Sequence, residues 1–163
     1  MKIGLISDTH SYLDDNVFFH FNDVDEIWHG GDFGNPEVAD KLAAFKPLKG
    51  VWGNIDGGVI KTRFPEDNFF TCEGVKVFMR HIGGYPGKYA PGVKQKIIDQ
   101  KPQLFISGHS HILKLMYDNN LNCLHINPGA AGKEGWHKVR TLVRFDIDEN
   151  DIKNARIIEL GPK

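Results

Sequence analysis

The chain of 163 residues has only two cysteines, Cys72 and Cys123, and they form no CxxC pair. That scarcity argues against a disulfide scaffold and points to a reduced, cytosolic setting. Neither sign of charge dominates: 20 Lys and Arg against 21 Asp and Glu give a formal net charge of -1. No global field steers the protein toward nucleic acid or an anionic membrane, so attraction to an anion must be local. No basic stripe or arginine-rich face is visible, which speaks against a polyanionic partner. Long apolar runs are missing too, and nothing approaches the roughly 20 residues of a membrane-spanning helix. The N-terminal MKIGLISDTH has an apolar run too short for a signal peptide, so it reads as a strand. The expectation is a soluble, cytoplasmic protein. Without repeats, low-complexity tracts or a Ser/Pro-rich linker, positions 1–163 read as one domain, long enough to bury roughly 70% of its unfolded surface.

What the chain does have is many short apolar or β-rich runs: Lys2–Ser7, Glu26–His29, Leu48–Trp52, Asn68–Cys72, Val75–Arg80, Leu104–Ser107, Leu113–Tyr117, Cys123–Ile126, Thr141–Asp146 and Ala155–Leu160. Helical patterns fall between the early ones, over Leu13–Phe21, Pro36–Phe45 and Pro91–Gln100. Asn35 is a good N-cap for the second, with Pro36 at the first helical position and Glu37 in the first turn. Later strands join through Glu73-Gly74 and Asn119-Asn120, which are hairpin signals. A βαβαβ start followed by hairpins predicts an α/β sandwich with mixed β-sheets flanked by helices.

Open α/β sheets place their sites outside the carboxyl ends of the strands. Each such end here carries a candidate ligand. The first strand ends in Ser7-Asp8-Thr9-His10, the second in His29-Gly30-Gly31-Asp32 and the third in Trp52-Gly53-Asn54-Ile55-Asp56. The Val75–Arg80 run ends in His81, and the Leu104–Ser107 run in Gly108-His109-Ser110-His111. Residues i and i+2 of an extended chain point the same way, so the pairs Asp8/His10 and His109/His111 each converge on one point. Taken singly, a histidine there is more often structural, an aspartate a turn former or cap, and an asparagine a turn residue. Together, two carboxylates, one amide and four imidazoles form a cluster that needs cations to hold it, and seven ligands suit two metals better than one.

Asp8-x-His10, Gly31-Asp32, Gly53-Asn54, His81 and Gly108-His109-Ser110-His111, in this order and with these gaps, resemble the five motif blocks of the calcineurin-like metallophosphoesterase superfamily. Asn127-Pro128-Gly129 and the short length resemble its small bacterial and archaeal phosphodiesterase branch. The resemblance spans about positions 4–132 and implies a metallophosphoesterase fold. It also implies that Asp8, His10 and His111 hold one metal, that Asn54, His81 and His109 hold the other, and that Asp32 bridges them. Asp32, Asn54 and His81 would then serve catalysis through the metals. Mixed N/O ligation without thiolate suits Mn, Fe, Zn, Co or Ni, and the resemblance favours two Mn2+ ions. Two dications, two carboxylates and a bridging hydroxide leave about +1 to meet a diester of charge -1, so hydroxide attack on a small phosphodiester is the expected reaction.

The pattern departs from the family at two places. Many members carry histidine after the metal-binding asparagine, whereas this chain has Ile55 followed by Asp56, so no separate general acid is identified. Ala130 stands where serine commonly follows Asn-Pro-Gly. Asp56 reads as orienting a ligand or its loop, or as a turn residue. The Gly83–Tyr89 segment reads as a substrate-side loop offering Lys88 and two aromatics, or as a plain solvated loop; it is not a P-loop. His29 reads as structural and His20 as a helix-surface residue. His125 is a candidate outer partner of the site beside the Asn127 turn, and His137 and Lys133 are candidates to reach substrate. Trp28, Trp52 and Trp136 read as core or interface. The rivals are a non-catalytic protein-binding module on the same fold and a nuclease, and self-association into a homo-oligomer is the expected quaternary tendency.

Overall fold

A computed structural model describes residues 1–163. Its elements run β1 (Lys2–Ile6), α1 (Asn16–His20), β2 (Glu26–His29), α2 (Pro36–Phe45), β3 (Leu48–Gly50), α3 (Gly58–Arg63), β4 (Asp67–Cys72), β5 (Val75–Arg80), β6 (Gly84–Tyr85), β7 (Lys88–Tyr89), α4 (Val93–Gln100), β8 (Leu104–Ile106), β9 (Leu113–Asp118), β10 (Cys123–Pro128), β11 (Val139–Asp148) and β12 (Asp151–Pro162). Two five-stranded sheets result, ordered β12-β11-β1-β2-β3 and β4-β5-β8-β10-β9. Both are mixed. In the first, β1, β2 and β3 are parallel and β11 is antiparallel to β1. In the second, β5, β8 and β10 are parallel while β4 and β9 pair antiparallel at the edges.

The layers follow from which face of each strand is apolar. Ile3, Leu5, Trp28, Val77, Met79, Ile106 and Phe145 fill the space between the sheets. There Trp28 meets Phe70 and Phe145 edge-on at 4.9 and 5.7 Å, and its Nε1 donates to Glu26. Such a pairing gives the ring apolar burial and its one donor a partner. On the other side of the first sheet, Ile6, Phe33 and Leu142 pack against Val17 and Phe21 near α1, Leu42 of α2 and Ile60 of α3. On the other side of the second, Phe78 and Phe105 pack against Val93 and Ile97 of α4. The order is helices, sheet, sheet, helix, the predicted sandwich of mixed sheets.

Local signals explain most boundaries. The Asn35 side chain accepts from Glu37 N–H at 3.0 Å and starts α2 where the N-cap reading put it. Glu73 and Gly74, with φ of 45° and 83°, make the tight β4–β5 turn that two positive-φ residues allow. Both cysteines are buried and unbridged. Three expectations need correction. The first helix is shorter than Leu13–Phe21, since Asp15 gives it no side-chain cap bond. Helix α3 begins on Gly57-Gly58, which carry no capping side chain, and so left no trace in the sequence pattern. The last strands extend well beyond Thr141–Asp146 and Ala155–Leu160, pairing as one long hairpin whose bulges break the alternation used to find strands.

Candidate metal centre

The carboxyl ends of the parallel strands of both sheets open onto one place. Asp8 and His10 follow β1, Asp32 follows β2, Asn54 follows β3, His81 follows β5, and His109 and His111 follow β8. Two groups form there, Asp8 with His10 and His111, and Asp32 with His81 and His109, the ligating atoms of each within 4.8 Å of one another. Asp32 lies between them, its Oδ2 3.3 Å from His10 Nε2 and 3.1 Å from His81 Nε2. Asn54 Oδ1 lies 3.1 Å from His81 Nε2 and 3.0 Å from His109 Nδ1. All seven residues singled out in the sequence therefore meet.

Both carboxylates are held the same way. Asp8 Oδ2 accepts from Ser7 Oγ–H at 2.6 Å and from His109 N–H at 3.2 Å. Its Oδ1 is buried without a hydrogen-bond partner and sits 3.1 Å from His111 Nε2. Asp32 Oδ1 accepts from Ile55 N–H at 3.0 Å, leaving Oδ2 to face the imidazoles. One oxygen of each is anchored and the other is presented. His81 is oriented likewise, because its Nδ1–H donates to Gly30 O at 2.7 Å and turns Nε2 toward Asp32 and Asn54. His10 Nε2 is buried and unpartnered. Orphaned buried polar atoms are rare in native proteins, and two of them aimed into one cluster are what a bound cation would satisfy.

The backbone also bends to this purpose. Asp8, His10, Asp32, His109 and His111 have φ of 52°, 45°, 58°, 68° and 59°. Aspartate and histidine tolerate this left-handed region better than most residues, yet each such residue still costs on the order of 1 kcal/mol. Five of the twelve non-glycine residues with positive φ are candidate ligands, and such strain clusters at functional sites. Glycines make the close approach feasible. A Cβ on Gly53 would stand 2.0 Å from Asp32 Oδ1 and 2.3 Å from Asp32 N, and one on Gly31 would lie 2.5 Å from His81 Nδ1.

Charge follows geometry. Burial would raise Asp32, but the His10 and His81 rings beside it outweigh that and hold the carboxyl well below the usual range. The Asp32 carboxylate beside it raises His10 against the opposing effect of burial. Burial lowers His81, yet Asp32 and the Asp8 charge leave it raised overall. A cation bound there would compete with protons for the ring nitrogens that face the carboxylates.

Residues outside the cluster sort clearly. His29 is fully buried and stacked on Phe33 at 3.6 Å. Its Nδ1 accepts from Gly31 N–H, so Nε2–H donates to Thr9 Oγ1, whose hydroxyl donates to Phe33 O. That chain fixes the loops bearing Asp8 and Asp32, a structural role. Asp56 accepts from Gly34 and Gly53 N–H at 2.8 Å each and so holds the Asn54 loop. Asn127 donates to Gly108 O and Ser110 Oγ, bracing the loop of His109 and His111. Ser7 and the Gly30 carbonyl escaped the sequence reading because their types signal nothing by themselves. His137 stands edge-on to His111 at 5.2 Å, its Nε2–H donating to Gly132 O, and Lys133 lies over Tyr12 at 4.4 Å. The Gly83–Tyr89 loop is the β6–β7 hairpin. Trp28 is core and Trp52 half-buried under Lys61, but Trp136 is fully exposed, which removes the core reading for it; His20 is half-buried.

Burial also sets an acid limit. It pushes His29 down to about 3 and His125 down to about 4, whereas both titrate near 6.5 when unfolded. Depressed values mean stability that is full above pH 6.5 and lost as pH falls, because the unfolded chain takes up the protons first. Each residue contributes a slope of about 1.4 kcal/mol per pH unit between roughly pH 6 and 4. The urea midpoint of the metal-free protein should therefore drop steeply from pH 6.5 to 4.5. A flat profile would contradict the neutral, buried state of both rings.

Residues 1–150 match the family model for the calcineurin-like phosphoesterase superfamily domain. A probable metallophosphoesterase of Methanothermobacter thermautotrophicus is 33% identical over 170 residues, covering 99% of this chain and 94% of that protein. Among solved structures, a novel archaeal phosphodiesterase superposes with a TM-score of 0.78 at 24% identity, over 98% of this chain and 100% of that one. Wild-type Vps29 of Entamoeba histolytica in complex with zinc superposes with a TM-score of 0.75 at 15% identity, over 98% and 99%. These two structures share the fold. No helix is long and apolar enough to cross a membrane.

Proposed function

Because the chain belongs to the calcineurin-like phosphoesterase superfamily, we propose that the cluster is a dinuclear metal centre and the protein a phosphodiesterase acting on small phosphodiesters. Asp8, His10 and His111 would hold one divalent cation, most readily Mn2+, and Asn54, His81 and His109 the other, with Asp32 shared. Two such ions supply a water of lowered pKa and a clamp on the phosphoryl oxygens. The chain's own residues do the rest. Ser7, Ile55 and the Gly30 carbonyl fix which atoms of Asp8, Asp32 and His81 face inward. The observation that carries the reading is this repeated arrangement of one anchored and one presented oxygen, with Asp32 between the two groups.

Ile55 is half-exposed beside Asn54 and has no proton to give. Departure of the alcohol then depends on its own acidity, which favours diesters with acidic leaving groups. After metal stripping, restoring Mn2+ should restore hydrolysis of bis(4-nitrophenyl) phosphate, faster than that of 4-nitrophenyl phosphate. Turnover without metal, or preference for the monoester, would contradict the reading. A binding module is the second reading, favoured by the exposed apolar side chains of Ile112, Leu115, Met116 and Tyr117 along the β9 edge. Failure of every divalent ion to support turnover would select it.

A further inference from the structure

A cavity of about 330 Å3 adjoins the candidate metal centre. It lies between the β6–β7 hairpin and the His109–Ile112 loop, with β10 beneath, and shares His109 with the ligand cluster. A substituent of a phosphorus held by the ligands could enter it without leaving the site. Tyr85, Tyr89 and Ile112 line it with flat and apolar surface. The Tyr89 hydroxyl already donates to Asp118, so its ring serves as wall only.

Beneath lies His125, which is 1% exposed, with Nδ1 lacking any hydrogen-bond partner. Asn127 beside it is different, since its amide is committed to Gly108, Ser110 and Gly129. His125 Nδ1 is thus a buried polar atom without a well-aligned hydrogen-bond partner, next to open space. Burial keeps the ring neutral near pH 7, offering one donor and one acceptor. No carboxylate lines the cavity, whereas Lys88 and Lys114 do, the latter 3.9 Å over the Tyr85 ring. A cationic occupant is disfavoured. A purely aliphatic one would seal off an unpaired imidazole, which is unfavourable. A flat ring with a polar edge suits both walls and floor.

We propose that this cavity takes one ester substituent of the diester, and that the substituent is a planar heteroaromatic group such as a nucleobase, with its polar edge toward His125. The proposal rests on the phosphodiesterase reading and narrows its substrate class.

Two diesters with the same leaving group separate the two ideas. They are thymidine 5′-(4-nitrophenyl phosphate) and methyl 4-nitrophenyl phosphate, assayed with the Mn2+-loaded full chain. The thymidine ester should show kcat/KM at least about tenfold higher, mainly through KM, as base stacking and one hydrogen bond would supply. Tyr85→Ala, in the surface hairpin, and His125→Phe, which keeps a ring but no nitrogen, should each bring the ratio of the two kcat/KM values toward one. Equal turnover of both esters, or a preference surviving both substitutions, overturns the proposal and leaves the phosphodiesterase intact. If neither ester is cleaved with any divalent ion, the phosphodiesterase reading fails and this proposal with it.

Discussion

Asp32→Asn should lower kcat/KM for bis(4-nitrophenyl) phosphate by at least about 1,000-fold, a loss of roughly 4 kcal/mol of transition-state stabilisation. The carboxylate lies close to imidazoles of both ligand groups, 3.3 Å from His10 Nε2 and 3.1 Å from His81 Nε2, whereas Asp8 approaches the second group only at 3.8 Å from His81. Asparagine keeps an oxygen to accept from Ile55 N–H, so the loop should stay in place. What it loses is the negative charge, and it cannot present an oxygen to each side at once. Metal content measured on the same sample separates weak binding from poor chemistry. Turnover within tenfold of the parent would mean that Asp32 does not bridge.

The second large effect comes from a residue with no side chain. Gly53→Ala should abolish most activity, because the new methyl would need the space of Asp32 Oδ1 at 2.0 Å and of Asp32 N at 2.3 Å. A side-chain tip can turn away but a backbone nitrogen cannot, so the Asp32 and Asn54 loops must separate. Overpacking of this kind costs about 1–3 kcal/mol in stability, and a displacement of about 1 Å can cost on the order of 100-fold in rate. Gly58→Ala is the control five residues on. Nothing lies within 4 Å of its Cβ position, and as the first residue of α3 it should gain up to about 1 kcal/mol from the better helix former. Equal behaviour of the two variants in kcat/KM and urea midpoint would refute the steric argument.

The candidate ligands could be read from the sequence because their chemistry is carried by residue type. Asp, His and Asn at successive strand ends survive any uncertainty about exact strand length, since the loops after parallel strands lead to one edge. The Pro36–Phe45 helix was equally legible, its Asn35 cap and apolar spacing agreeing with each other. Helix α3 was not, because Gly57-Gly58 reads as a turn and only packing of Ile60 against the first sheet's outer face makes it a helix. The anchoring groups were invisible for a related reason. Ser7 and the Gly30 carbonyl act through position alone, and a backbone oxygen has no letter in a sequence. Trp136 is not core because aromatic size predicts burial only when an element carries it inward, and the 132–138 segment has no helix or strand.

The proposed centre requires two cations held by seven side chains around one shared carboxylate. The direct measurement is an EPR titration of the metal-stripped protein with Mn2+, counting bound ions per chain. Two ions per chain with a spin-coupled signal, and loss of that coupling in Asp32→Asn, is the predicted result. Saturation at a single uncoupled ion, or no binding at all, would contradict the dinuclear centre.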